Sequence, residues 1–386
     1  MINIARVIQD TQDLVRIDSQ NPGIMEGQCA EWVGNRLSDA GLTVQRTPVL
    51  EGRPNLITTV PGSGGGPRLV LLAHMDTVPV GEGWTKDPHG GEIVDGRLYG
   101  RGSCDMKGGL ALAINLVDAM TREHPGTFGD VVLVATVDEE APDMLGAHHL
   151  VSSGFLRAND QVLALEPTGM RLRIAQMGLR WLTLRVEGRM AHAGRAHLGV
   201  DANHVMAEVV TRFKSVVADL PHDDAILGKP RFTCGTVNGG VATNVVPPSC
   251  EAKFDIRIVP PMTIGDAESM LSDVVDGVMN DFPGAKYAIT PLGAGRPPVR
   301  ADADSKIVRG LVEAYRSQTG AAIPTGGADG HEAYTDASMV AALTGSTSCT
   351  VFGPGATDQA HTADEYVPVA DLDLGARMLW SLVQGW

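Results

Sequence analysis

The stretch LVLLAHMDTVPV (69–80) joins a run of apolar residues to a histidine and an aspartate. His74 and Asp76 follow what the composition predicts to be a buried strand, although buried strands usually end in turn residues. Imidazole and carboxylate groups are common ligands of divalent metal ions. A histidine after a strand is by itself more often a surface residue than a ligand, so a metal site needs further groups in the same place.

Two other predicted strands also end in acidic residues. Glu139 and Glu140 end DVVLVATVDEE, and Glu166 ends QVLALEP. In open α/β sheets, ligands bind beyond the carboxyl ends of the strands. Carboxylates gathered there would repel one another, and buried carboxylates need a compensating partner. An acidic strand end is often a solvated turn when it occurs singly, but the joint placement favours one or two divalent cations.

Two further segments contain residues of the same chemical types. Asp105 lies in the glycine-rich GRGSCDMKGG, directly before an apolar helix, where an aspartate is also a common helix cap. His361 lies in VFGPGATDQAHTADEYVP, after a strand-like segment. Neither residue alone indicates a metal site.

The segments around these residues alternate between predicted strands and helices. Near-continuous Val and Leu strands between helices indicate an α/β domain with helices on both faces of a mixed sheet. The middle of the chain differs, because its half-exposed strands and its helices follow the order β-α-β-β-α-β, which is typical of a ferredoxin-like unit. We therefore predict a metal-binding domain at 1–179 and 292–386, with a second domain at 180–291 inserted into it.

Composition limits the class of protein. The 386 residues are too many for one ordinary core, and 43% hydrophobic with 20% charged residues is typical of a globular protein. The net charge of -15 argues against binding to nucleic acid or to an anionic membrane. The five cysteines form no CxxC pair, which excludes a thiolate zinc site and argues against a disulfide framework. Because no segment reads as a signal peptide or a membrane span, we expect a cytoplasmic protein.

A set of motifs occurs in a characteristic order along the chain: AHMDTVP, GRGSCDMKGG, VDEEAP, LALEP, MAHAG, ATNVVPPSCEAKFDIR and DQAHTADEYV. In this order they resemble the M20 family of metallopeptidases and deacylases. That family includes acetylornithine deacetylase, succinyl-diaminopimelate desuccinylase, aminoacylase and glutamate-releasing carboxypeptidases. Each motif alone is of modest specificity, whereas the ordered set is highly specific.

The resemblance implies a site with two zinc ions per subunit, for which cobalt or manganese could substitute. His74 and Glu166 would bind one ion, and Glu140 and His361 would bind the other. Asp105 would bridge the two ions, as in other two-metal hydrolases. The family also has a cis peptide bond directly after this aspartate.

The resemblance also implies roles for residues beside these ligands. Asp76 would accept the second N–H of His74 and fix the tautomer of the imidazole. Glu139 would act as the general base and then the general acid of an amide hydrolysis. Adjacent residues of a strand point to opposite faces, which would let Glu139 and Glu140 divide the catalytic and metal-binding roles.

Residues of the inserted domain would contribute to catalysis and to substrate binding. By resemblance, His192 would reach the active site of a partner subunit and stabilise the oxyanion. Asn244 and Arg257 would hold the carboxylate of the substrate, for which a planar guanidinium is well suited. Asp336 lies where the family often has a Thr-Asp or Thr-Glu segment that lines the pocket. Considered singly, a histidine or an arginine such as His192 or Arg257 is usually an ordinary surface residue.

The function favoured by these implications is hydrolysis of the amide bond of an N-acyl amino acid, as in acetylornithine deacetylase. A carboxypeptidase or dipeptidase and a succinyl-diaminopimelate desuccinylase are alternatives. Glu166 favours a deacylase or carboxypeptidase, because aminopeptidase-like relatives tend to have Asp there. A non-catalytic binding protein would lack a ligand or Glu139, and all of these positions are present. We expect a homodimer, joined through an inserted domain that also acts as a lid, with a small N-acyl amino acid or short peptide as substrate.

Overall fold

The computed structural model describes residues 1–325 and 334–386, which form two compact units. Of the described residues, the first unit contains Met1–Ala175, 300–325 and Thr335–Trp386, and the second contains Gln176–Val299 and Tyr334. The predicted domain boundaries at 180 and 291 fall inside the second unit. No helix within the described ranges is long and apolar enough to cross a membrane.

The α-helices of the described residues are α1 (Ile4–Val15), α2 (Gly27–Asp39), α3 (Gly108–Glu123), α4 (Leu145–Ser152), α5 (Ala202–Ala218), α6 (Ile264–Met279), α7 (Lys306–Thr319), α8 (Asp336–Thr344) and α9 (Val369–Gln384). The strands of the same residues are β1 (Gln45–Leu50), β2 (Arg53–Val60), β3 (Leu69–His74), β4 (Ile93–Val94), β5 (Arg97–Tyr99), β6 (Val131–Thr136), β7 (Gln161–Ala164), β8 (Ala175–Gln176), β9 (Gly178–Glu187), β10 (Arg231–Gly239), β11 (Ser249–Ile258), β12 (Lys286–Pro291), β13 (Val299–Arg300), β14 (Cys349–Val351) and β15 (Tyr366–Pro368).

The first unit is built on a six-stranded mixed sheet of order β1-β2-β6-β3-β7-β14. β3 pairs in parallel with β6 and β7, and β14 pairs in parallel with β7. β2 pairs antiparallel with both β1 and β6. β3, β6 and β7 are buried along their whole length, as expected for strands covered on both faces. The mixed α/β class predicted from the sequence is confirmed.

The parallel pairing brings the ends of three strands to one edge of this sheet. His74, the last residue of β3, lies opposite Thr136, the last residue of β6. Leu72 of β3 lies opposite Ala164, the last residue of β7. The segments that follow β3, β6 and β7 therefore leave the sheet at the same edge, where ligands bind in open α/β sheets.

The sequence-based expectation that Glu139 and Glu140 end a strand is wrong. β6 ends at Thr136, before either glutamate. Asp138 has φ 66°, in the left-handed region, which interrupts the extended backbone. The two glutamates therefore lie on a bend, and strand alternation does not account for the directions of their side chains.

Helix α3 packs closely against the segment after β7 through a glycine. A Cβ atom added at Gly109 would lie 2.1 Å from the carbonyl oxygen of Leu165. The neighbour is a backbone atom, so no rotation of a side chain would relieve the clash, and this close approach requires glycine. The contact holds the start of α3 against Leu165. Asp105 precedes this helix, and Glu166 follows Leu165.

In its described residues, the second unit contains a four-stranded antiparallel sheet of order β10-β11-β9-β12 and two α-helices, α5 and α6. Its elements follow the predicted order β-α-β-β-α-β. Alternate residues of β9 and β11, such as Leu184 and Phe254, are buried in a core shared with the helices. A capping box between Thr263 and Asp266 begins α6, because each side chain accepts the backbone N–H of the other residue.

Candidate metal site

His74 is buried at the end of β3, with 1% of its side chain exposed. Its Nε2 atom lies 3.1 Å from Oδ1 of Asp105 and 3.6 Å from Oε2 of Glu166. One potential ligand atom from each of these three residues lies within 4.8 Å of the others. His74, Asp105 and Glu166 thus form a first possible ligand set.

A second ligand set shares Asp105 with the first. Nε2 of His361 lies 3.2 Å from Oε1 of Glu140 and 3.4 Å from Oδ2 of Asp105. The potential ligand atoms of these three residues again lie within 4.8 Å of one another. Asp105 therefore turns one carboxylate oxygen toward each histidine, which is the arrangement that a bridging carboxylate needs. The peptide bond after Asp105 is cis, as the resemblance predicts.

Glu139 lies beside these two sets and forms another possible set with His74 and Glu140. Burial raises the pKa of the Glu139 carboxyl group well above its usual value. The charge of His74 opposes this shift, whereas those of Glu166 and Asp336 add to it; Asp336 is the first residue of α8. A carboxyl group with a raised pKa is suited to accept a proton and later release it near neutral pH.

Negative charge is concentrated at this edge of the sheet. Burial raises the pKa of Glu166 to about 7. Burial also opposes the ionisation of Asp105, but hydrogen bonds with His361 and His74 outweigh it and hold the pKa of Asp105 well below its usual range. Hydrogen bonds to Asp105 and Glu140 raise the pKa of His361 to about 10. The carboxylates thus favour positive charge between them, which is the charge that a divalent cation carries.

Asp76 contacts His74 and the bend after β6 in a different way from the one we expected. The Nδ1 atom of His74 lies 2.9 Å from the backbone oxygen of Asp76 and 3.7 Å from its carboxylate. The carboxylate instead accepts the backbone N–H groups of Glu139 at 3.2 Å and Glu140 at 3.1 Å. Glu139 and Glu140 lie beyond the end of β6, so their N–H groups have no partner in the sheet and need another acceptor. The Asp76 side chain provides it. The main chain of Asp76 thus orients His74, and its side chain holds the bend.

A largely buried polar network also contacts this bend. Asn21 donates to the carboxylates of Asp76 at 2.9 Å and Asp138 at 3.1 Å. Arg53 pairs with Glu26 at 2.5 Å and with Asp138 at 2.7 Å. Glu26 also accepts the backbone N–H of Asp138 at 2.9 Å. The sequence does not single out Asn21, Glu26 and Arg53, because they belong to no motif and their types are common on surfaces.

The predicted catalytic residue His192 and the predicted substrate-binding residue Asn244 lie on neighbouring loops of the second unit. His192 is exposed, and its Nδ1 atom accepts the backbone N–H of Gly194 at 3.0 Å. Asn244 is also exposed, and its backbone oxygen accepts the N–H of Ala193 at 3.0 Å. The structure thus brings the backbones of the His192 and Asn244 segments together.

Arg257 lies on β11 and already has a carboxylate partner in the chain. Its Nε and Nη2 atoms donate to the two carboxylate oxygens of Asp255 at 2.7 and 2.9 Å. Trp181 donates to the same carboxylate at 3.0 Å. A carboxylate that approaches Arg257 would have to share the guanidinium with Asp255 or displace it.

Comparison with known proteins places the chain in a family. The model of a family described as peptidase family M20/M25/M40 matches residues 70–385. The chain belongs to peptidase family M20/M25/M40. The resemblance recognised in the sequence motifs is confirmed.

Several curated relatives of the chain are acetylornithine deacetylases. That of Proteus mirabilis (strain HI4320) is 28% identical over 364 residues, which cover 92% of this chain and 88% of the relative. That of Klebsiella pneumoniae (strain 342) is 30% identical over 339 residues, which cover 85% of this chain and 83% of the relative. Family membership and these relatives identify the chain as a hydrolase that acts on amide or peptide bonds.

Solved structures share the fold of this M20 chain. A tripeptidase from Staphylococcus aureus superposes with a TM-score of 0.82 at 23% identity and covers 100% of this chain and 98% of its own. A dinuclear metal-binding M20 peptidase from Bacillus subtilis has a TM-score of 0.75 at 15% identity and covers 99% of this chain and 97% of its own. These likenesses concern the fold.

Added metal should stabilise the folded protein, because the ligand sets exist in the folded chain and not in the unfolded one. An ion present at 100 times its Kd should raise the free energy of unfolding by about 2.7 kcal/mol. Thermal unfolding followed by circular dichroism at increasing Zn²⁺ or Co²⁺ measures this effect. His361→Ala should reduce it, whereas His148→Ala, which removes an exposed histidine of α4, should not. A transition that does not respond to metal in the unsubstituted protein would contradict the assignment.

Proposed function

We propose that the protein removes the acyl group from an N-acyl amino acid by zinc-dependent hydrolysis of the amide bond. The observation that carries this proposal is the sharing of Asp105 between two ligand sets, with Glu139 beside them. Relatives named acetylornithine deacetylase, at 28% and 30% identity over most of the chain, support this substrate class.

Two zinc ions fit the donors available in the two sets that share Asp105. These sets contain imidazole nitrogens and carboxylate oxygens, a combination that suits zinc and also admits cobalt or manganese. His74 and Glu166 would hold one ion, and Glu140 and His361 would hold the other. Asp105 would contribute one oxygen to each.

The proposed reaction depends on proton transfer by Glu139. Bound zinc would polarise the substrate carbonyl and lower the pKa of water. The Glu139 carboxylate would take a proton from the attacking water and donate it to the amide nitrogen as the C–N bond breaks. Asp76 would keep Glu139 in place by accepting its backbone N–H. The products are the free carboxylic acid and the free amine.

Residues of the second unit would recognise the substrate. Arg257 would bind the substrate carboxylate through two parallel hydrogen bonds, either sharing its guanidinium with Asp255 or displacing that side chain. Asn244 would contribute a side-chain amide. His192 of the partner subunit would donate a hydrogen bond to the oxyanion in a homodimer. Because Nδ1 of His192 accepts a backbone N–H, the neutral ring carries its proton on Nε2, where it can be donated.

A metal-supplemented assay across acyl groups tests the proposed function. N-acetylornithine should be hydrolysed with a higher kcat/KM than N-succinyl amino acids or glycyl and glutamyl dipeptides. A preference for the peptides would favour a carboxypeptidase or dipeptidase, and a preference for N-succinyl-diaminopimelate would favour the desuccinylase. If the metal-loaded protein hydrolyses none of these compounds, a non-catalytic binding protein becomes the better interpretation.

Glu139→Gln should lower kcat by about 10²–10⁴-fold, the usual contribution of a general base. The amide keeps the shape of the side chain but cannot take a proton from water. Metal content, measured by atomic emission on the purified variant, should stay close to that of the unsubstituted protein. Glu140→Gln is the matched comparison and should lower metal content as well as turnover. Loss of metal from Glu139→Gln would contradict the role given to Glu139.

Mixing two inactive variants tests the proposed contribution of His192 across a dimer. A dimer of one Glu139→Gln subunit and one His192→Ala subunit would have one site with both groups intact. Random reassociation of equal amounts should restore about a quarter of the unsubstituted activity, because half of the dimers are mixed and each has one complete site. No recovery after confirmed subunit exchange, or full activity in a monomer, would rule out the role in trans.

A further inference from the structure

Glu365 is a fully buried carboxylate that follows His361 by four residues. Its Oε1 atom accepts the backbone N–H groups of Cys104 at 2.9 Å and Asp105 at 3.0 Å. Its Oε2 atom accepts the backbone N–H of Gly102 at 3.0 Å. The Glu365 side chain thus accepts three backbone N–H groups of the loop that carries Asp105. The proposed catalytic scheme gives Glu365 no role.

Arg101 balances the charge of this carboxylate. Its Nη1 atom donates to Oε2 of Glu365 at 2.5 Å, and only 2% of the Arg101 side chain is exposed. The other partners of the carboxylate are the backbone N–H groups of Gly102, Cys104 and Asp105. Because each of these partners is a donor, the surroundings fit the ionised carboxylate. An amide in its place would turn an N–H group toward at least one of them.

The backbone of Glu365 is tied to the same part of the chain. β15 begins at the next residue and pairs antiparallel with β5, so that Tyr366 lies opposite Tyr99. The carbonyl oxygen of Glu365 accepts the N–H of Gly100 at 2.9 Å. Main chain and side chain together therefore join the segment after His361 to the loop that contains Asp105.

We propose that Glu365 is a positioning residue that fixes Asp105 relative to His361 and thereby sets the affinity of the metal ion held by Asp105, Glu140 and His361. It acts through the backbone N–H groups of the loop. Such outer partners matter because a ligand displaced by a fraction of an ångström no longer meets the ion at its preferred distance. The proposal rests on the two-metal part of the proposed function.

Stepwise Co²⁺ titration of the metal-free protein, followed by visible absorption, tests this role. His361→Ala identifies the binding step that belongs to the second ligand set. Glu365→Gln should weaken that step by about 10- to 100-fold, the usual effect of losing an outer-shell partner. Asp364→Asn is the matched control, because the adjacent carboxylate accepts backbone N–H groups of a different loop, at Thr85 and Lys86. It should leave the step unchanged.

A merely structural role would lower the melting temperature of metal-free Glu365→Gln without changing its Co²⁺ affinity, and that result would overturn the proposal. If circular dichroism shows that this variant is unfolded, Glu365→Asp carries the test, since it keeps the charge on a shorter side chain. It should show a smaller loss of affinity in the same step, and unchanged affinity would count against the proposal.

The titration needs no substrate. An unsubstituted protein that binds both ions but hydrolyses no amide would overturn the proposed function and leave the role of Glu365 standing.

Discussion

The parallel pairing of β3 with β6 on one side and β7 on the other is the constraint on which the site depends. It makes three chain segments leave the sheet at one edge, and each segment carries an imidazole or carboxylate group. The same hydrogen bonds that build the core therefore bring together groups whose charges oppose one another. Burial strengthens that opposition, because low-dielectric surroundings screen charges poorly. The fold thus creates a requirement for positive charge at this edge of the sheet.

The acidic residues of the site divide into those that face one another and those that face the backbone. Asp76 accepts N–H groups from the bend that carries Glu139 and Glu140, and Glu365 accepts them from the loop that carries Asp105. Both segments lie outside the α-helices and strands, so their N–H groups need side-chain acceptors. Buried carboxylates that accept several such hydrogen bonds hold the main chain in place. The positions of the candidate ligands are therefore set largely through the backbone.

The sequence was sufficient to predict a buried sheet with a site at one edge, because continuous Val and Leu runs predict buried strands and the acidic residues that follow them predict a shared edge. It was insufficient where the backbone leaves regular structure. The positive φ of Asp138, which ends β6 early, has no strong signature in a residue other than glycine. Adjacent acids also look alike in a sequence: Asp364 accepts N–H groups near Thr85, whereas Glu365 accepts them around Asp105. Likewise, the sequence does not show which acidic residue pairs with Arg257, because the pairing depends on which one lies beside it in the folded chain.

The two histidines of the ligand sets differ sharply in their access to water. His74 has 1% of its side chain exposed, whereas His361 has 53%. An ion held beside His74 would exchange with the buffer through buried surroundings, while one held by His361 would be in reach of water and small chelators. The two halves of the site would then load and empty at different rates. The metal content of a preparation would reflect the order and duration of its treatments as well as the affinities of its ligands.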